Sequence, residues 1–198
     1  IPAHWRVVPA WSVAKLVRRP PSEGEGIVTA FRDGEVTLRR NRRMDGFTEA
    51  VQELGYQGVR AGELVIHSMD GFAGAIGVSD SDGKMSPVVH IYSILNEEPR
   101  FVALLLRELA RNGVIESLAR GIRERSTAFD RASFRSLTLP LPPRVEQREI
   151  LQFLDRETAQ IDAFIAKNEE LIALLHERRT AVVDATFARI TARLIRLK

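Results

Sequence analysis

Three prolines among residues 140–143 stand directly ahead of a strongly periodic segment that runs almost to residue 198. Proline locks φ and donates no backbone hydrogen bond, so Leu139-Pro140-Leu141-Pro142-Pro143 favours an extended exit, with Pro143 just ahead of a first helical turn. Glu146 and Glu149 then put negative charge near that helix N-terminus, where the macrodipole favours it. From Leu154 the positions Thr158, Ile161, Ile165, Asn168, Ile172, Leu175, Arg179, Val182 and Thr186 follow alternating steps of four and three, the coiled-coil spacing. Leu151, Phe164, Leu171 and Leu174 widen the stripe, and the residues between are mostly charged. A helix of about 40 residues rising ~1.5 Å each extends roughly 60 Å, beyond the span of a compact domain. It needs a partner helix. The expected division is a globular domain over 1–139 and a proline linker with a spacer or dimerisation helix over 140–198.

The globular part reads as α+β, a mixed domain of short strands followed by the long coiled-coil-type helix. At 198 residues, 44% hydrophobic and 28% charged, the chain has material for one sizeable core and a polar helical extension. Strands are expected at Trp5–Val8, Ile27–Phe31, Val36–Leu38, Leu64–Ile66, Ala75–Val78 and Val88–Tyr92, with a short helix or strand at Val13–Val17. Asp33-Gly34 is a strong hairpin signal. Arg100–Leu109 has helical periodicity, Asn112-Gly113 is its stop, and Val114–Leu118 forms a second short helix.

The net charge is only +3, but it is unevenly spread. Arginines crowd 1–43, including Arg39, Arg40, Arg42 and Arg43, and crowd 100–139, including Arg120, Arg123 and Arg125. The middle of the domain is acidic. Two arginine-rich regions brought together by folding would make a phosphate-binding face, because guanidinium forks match phosphate oxygens. Composition describes an ordinary solvated surface equally well.

Several classes are excluded. There is no cysteine, hence no disulfide and no thiolate metal site, and a reducing, cytoplasmic setting is expected. No run approaches the ~20 apolar residues of a membrane span, and the start carries no signal-peptide pattern. His4, His67, His90 and His176 lack metal-ligand spacing. Gly71, Gly74 and Gly77 do not make a dinucleotide fingerprint. There is no Walker loop and no Asn-Pro-Pro-Tyr type methyltransferase motif.

Leu139–Pro143 followed by Glu146-Gln147, Ile150, Phe153-Leu154-Asp155, Thr158, Ile161-Asp162, Ile165 and the run Leu171–Arg179 resembles the spacer helix of type I restriction–modification specificity subunits. Ile1-Pro2-Ala3-His4-Trp5 resembles the opening of a target-recognition domain in that family, and Arg131-Ala132-Ser133-Phe134 its closing strand. The resemblance covers nearly the whole chain.

It implies a non-catalytic, DNA-binding specificity subunit or half-subunit that reads one half of a bipartite duplex target. It implies modification (methyltransferase) and restriction subunits as partners, and pairing with itself or with a second recognition domain through antiparallel spacer helices. S-adenosylmethionine, ATP and Mg would belong to those partners, with no cofactor or metal on this chain and no membrane. DNA contacts are expected from Arg39, Arg40, Arg42 and Arg43, from a loop holding His67, Ser68, Met69 and Asp70, from Lys84 in the turn Asp80–Pro87, and from Arg120, Arg123, Arg125, Ser126 and Thr127. The helix seam is expected at Leu154, Ile161, Ile165, Asn168, Ile172, Leu175 and Val182. The usual family member carries two recognition domains and two spacers, whereas one of each is present here. This leaves a half-subunit that homodimerises or part of a longer chain. A coiled-coil scaffold with incidental basic patches and a dimeric transcriptional regulator are the competing readings.

Overall fold

The computed structural model describes residues 1–42, 54–118 and 129–195, with side chains described through 190. The elements, in chain order, are β1 (Arg6–Pro9), α1 (Ala10–Val13), β2 (Ala14–Val17), β3 (Val28–Ala30), β4 (Val36–Leu38), β5 (Gln57–Val59), β6 (Leu64–His67), β7 (Ile76–Val78) and β8 (Gly83–Met85). They continue with β9 (Val89–Ile94), α2 (Pro99–Arg111), α3 (Val114–Leu118), α4 (Arg131–Ser136), β10 (Thr138–Leu141) and α5 (Arg144–Ile195). The class is α+β. The chain divides into two compact units, Ile1–Leu151 and Gln152–Lys198, so the proline segment and the first two turns of α5 belong with the strands.

Side chains alternate across a strand, and the central sheet uses both faces. Its order is β2-β9-β6-β7, with every neighbouring pair antiparallel. Leu64, Ile66, Ile76 and Tyr92 face the helices and pack with Phe101, Val102, Leu106, Ile115, Phe129 and Phe134. Val65, Val89 and Ile91 join the opposite core with Val28, Val36, Val59 and Met85 from the small sheets β3-β4 and β5-β8. This explains why Leu64-Val65-Ile66 is apolar without a break: all three are fully buried because neither face of β6 meets water. Each such side chain contributes about 1.5–3 kcal/mol.

The turns follow their chemistry. Gly34 takes φ +90° at the β3–β4 hairpin, and Asp33 accepts from Glu35 N–H at 3.1 Å. Gly113 at φ +74° lies just past the end of α2, after the Asn112 cap. A Cβ on Gly77 would sit 2.0 Å from the Gly34 carbonyl oxygen, so β7 and the hairpin approach backbone to backbone.

One expectation is corrected. Arg131–Phe134 is not a closing strand but the body of helix α4, because Asp130 caps it by accepting from Ser133 N–H at 2.8 Å. Ser133 Oγ in turn donates to the Leu118 carbonyl at 2.9 Å. The closing strand comes later, at β10, which includes Pro140 and pairs antiparallel with β1 from Arg6↔Leu141 to Pro9↔Thr138. A two-stranded ribbon tolerates proline's missing donor.

Helix α5 begins directly after Pro143 and runs 52 residues, about 78 Å at 1.5 Å per residue. Leu151, the last residue of the first unit, joins its core.

Candidate nucleic-acid interface

The hairpin β3–β4, the short 3-10 turn Arg39–Asn41 after it, and the end of β6 surround a groove of about 880 Å³. Its lining includes Arg32, Asp33, Arg39, Arg42, His67 and Asp70. Two regions marked separately in the sequence, Arg39–Arg42 and His67–Asp70, therefore meet in one concavity.

The charges of this groove are largely matched within it. Arg32 donates to Asp70 at 2.8 Å. Arg42 pairs with Asp33 and, at 3.0 Å, with Glu35, while its guanidinium lies 4.3 Å from the centre of the Phe31 ring. The Arg42 hydrogen bond holds the Asp33 carboxyl below the usual carboxylate range. Arg39 Nε donates to Thr29 Oγ1 at 3.3 Å. Arg40 is exposed and pairs with no described residue. Arg42 meets a phosphate only by exchanging carboxylates for it.

His67 closes β6, and the loop after it is held tightly. Asp70 N–H donates to His67 Nδ1 at 3.1 Å, which leaves the ring proton of neutral His67 on Nε2. Burial pushes this imidazole's pKa down, and Arg32 adds to that while Asp70 opposes it. Ser68 N–H donates to the Val88 carbonyl at 2.9 Å, and the Ser68 carbonyl accepts from Phe129 N–H at 2.8 Å. Met69 is exposed at the loop tip. Phe129, which follows the segment 119–128, is buried against Phe134. Arg120, Arg123, Arg125, Ser126 and Thr127 fall in that segment and, like Arg43, lie outside the described residues. Lys84 is half-buried on β8, where its N–H donates to the Gly26 carbonyl at 2.9 Å.

The root of α5 is clasped by side chains that charge and periodicity do not mark. Gln147 is fully buried; its Nε2 donates to Glu97 Oε2 and, at 3.0 Å, to the Pro142 carbonyl, while its Oε1 accepts from Glu98 N–H at 3.0 Å. Glu97, itself buried, also pairs with Arg6 at 2.6 Å. Arg148 and Arg144 donate to Glu98 Oε1 at 2.7 and 2.8 Å, and these bonds hold the Glu98 carboxyl below its ordinary range. Glu146 accepts from Trp5 Nε1 at 3.1 Å and lies 2.9 Å from His4 Nε2. Glu146 thus has specific partners besides the favourable helix-dipole position. Nothing in the sequence signals that Glu97, some 50 residues away, waits for Gln147.

Taken by itself, the second unit is helical throughout its described length. Leu154, Ile161, Ile165, Ile172, Leu175 and Val182 are each between 39% and 59% exposed, an apolar stripe left open by the described residues. Asn168 lies on the same stripe, its amide donating to the Phe164 carbonyl at 2.7 Å.

No protein-family model matches the chain, and no curated protein matches it. Solved structures do. A chain from a study of complex assembly and conformational transition in the type I R-M system superposes at TM-score 0.63 and 20% identity over 93% of this chain. The HsdS subunit from Thermoanaerobacter tengcongensis gives 0.53 and 19% over 82%, and the type I restriction–modification S subunit from M. genitalium 0.51 and 15% over 80%. The chain covers 46%, 39% and 40% of those chains, less than half of each. It shares their fold.

Proposed function

We propose that this chain is the recognition half of a type I specificity subunit, a non-catalytic module that reads one half of a split duplex target. The support is one feature: a domain whose closing strand β10 passes straight into a long helix, an arrangement that superposes on a type I R-M chain over 93% of this one. In this reading 1–139 is the recognition domain, and 140–198 is the linker and spacer. Arg39, Arg40 and Lys84, with the loop His67–Asp70 and the arginine segment 120–127, meet DNA. Arg42 holds the hairpin that presents them. The stripe from Leu154 to Val182 pairs antiparallel with the same stripe on a second copy or a second domain, and modification and restriction subunits carry S-adenosylmethionine, ATP and Mg.

The spacer sets the gap between half-sites. Seven inserted helical residues add ~10 Å, about three base pairs at 3.4 Å each. The test is a genome-wide map of methylated adenine in cells holding the modification subunit with this chain, without it, and with the insertion. A split motif that appears only with this chain and widens by about three base pairs is expected. An active modification subunit with no new motif overturns the reading in favour of a scaffold, and specific DNA binding without any methylation favours a regulator.

A further inference from the structure

The groove described above spends Arg32 and Arg42 on carboxylates, and unpaired guanidinium groups also occur beyond it. A second cavity, of about 380 Å³, shares Val89 with the groove and includes Arg18, Arg19, Tyr56, Gln57, His90 and Arg131 in its lining. No acidic residue is among its described lining residues, although the Asp130 carboxylate beside Arg131 acts on His90. Arg19 is committed, forking onto Glu63 at 2.9 and 3.1 Å. Arg18 and Arg131 are exposed, and neither pairs with a described residue. They come from opposite ends of the domain, Arg18 from the residue after β2 and Arg131 from the first residue of α4, so folding alone puts them on one cavity. His90 carries a buried Nε2 with no hydrogen-bond partner among the described residues.

Two guanidinium groups lining one concavity, neither paired with a described carboxylate, can both turn their forks to one oxyanion. We infer that Arg18 and Arg131 form a phosphate subsite for the backbone of duplex DNA, adjoining the groove through Val89. This rests on the DNA-recognition reading of the domain. The subsite carries affinity without sequence preference, since phosphates are alike at every base pair. The neutralised groove beside it is left to shape and base edges, where excess charge would bind any sequence.

The experiment is a fluorescence anisotropy titration of the full chain with a labelled mixed-sequence duplex, repeated across a salt series. Each lost phosphate contact lowers the slope of log K against log salt by about one. Arg18→Gln and Arg131→Gln are each expected to lower the slope, and the double variant by about one, the worth of the single phosphate the two arginines share, with Arg18→Lys and Arg131→Lys restoring it. Both side chains are exposed, so glutamine leaves the core intact; if Arg131→Gln does not fold, Arg18→Gln alone decides. A wild-type slope in the glutamine variants overturns the subsite while leaving DNA recognition standing. Absence of any salt-dependent binding by the wild-type chain overturns the recognition reading and the subsite with it. The same titration with inorganic phosphate at constant ionic strength separates the sources: variants that lose phosphate binding yet keep the DNA slope make this a free-anion site and overturn the DNA assignment.

Discussion

Replacing Gln147 by leucine isolates the clasp at the root of α5. The volume is nearly kept and the residue remains apolar enough for a fully buried position, but three hydrogen bonds go: two from Nε2, to Glu97 and to the Pro142 carbonyl, and one into Oε1 from Glu98 N–H. A buried group left unpaired costs about 1–3 kcal/mol. Glu97 keeps Arg6, so its loss is the smaller part, and the Pro142 carbonyl and Glu98 N–H carry the larger. Burial of the leucine returns about 1–2 kcal/mol. The net expectation is about 3 kcal/mol, or a Tm lower by roughly 6–12 °C for a chain of this size. Urea unfolding followed by tryptophan fluorescence measures it, since Trp5 hydrogen-bonds Glu146 in the same turn of helix; the midpoint should fall with the slope unchanged. Gln147→Glu keeps the acceptor for Glu98 N–H but sets a carboxylate against Glu97, and is expected to be less stable than the leucine variant at neutral pH. A loss below 1 kcal/mol for Gln147→Leu, or wild-type stability for Gln147→Glu at pH 7, would refute the claim that this amide satisfies the buried junction.

Glu98 is held ionised by Arg148 and Arg144, so its folded pKa lies below the unfolded value near 4.5. The stability it contributes is present above that value and is lost as pH falls through the folded pKa. Thermal melts from pH 6 to pH 3 should therefore drop less steeply for Glu98→Gln than for wild type, and parallel profiles would contradict this assignment. Gly77→Ala should unfold several degrees lower, because its Cβ meets the Gly34 carbonyl rather than a movable side chain; an unchanged Tm would show that the hairpin can give way. Tyr92 is the opposite case. Burial pushes its hydroxyl up to about 12, and that oxygen has no partner among the described residues, so Tyr92→Phe should leave the melting temperature equal or higher. A loss above about 1 kcal/mol would reveal a hydrogen bond at that oxygen.

The parts of the fold written in local chemistry were legible. The unbroken apolar run of β6, the Asp33-Gly34 hairpin, the Asn112-Gly113 stop and the start of α5 after Pro143 each follow from residues adjacent in sequence. The resemblance of Arg131–Phe134 to a closing strand points away from helix α4, although Asp130, three residues before Ser133, is a capping signal. Strands β5 and β8 are three residues each and both contain glycine, so only their pairing with each other marks them. The candidate surface was legible as composition but not as electrostatics. Which carboxylate answers which arginine depends on contacts such as Arg32 with Asp70, 38 positions apart, and such contacts occupy Arg42 while Arg18 and Arg131 pair with no described residue.

The ribbon β1-β10 has a mechanical meaning. The chain enters the domain at Arg6 and leaves it at Leu141, which are partners in the same rung. A pull between the root of α5 and the segment before Arg6 would load that rung first and peel the ladder one pair at a time, the weak direction for two strands. The side chains of His4 and Trp5 on Glu146, and of Arg6 and Gln147 on Glu97, cross that mouth. They act as a buckle at the place where tearing would begin, so force passing between helix and domain is taken by charged and amide side chains before it reaches the strands.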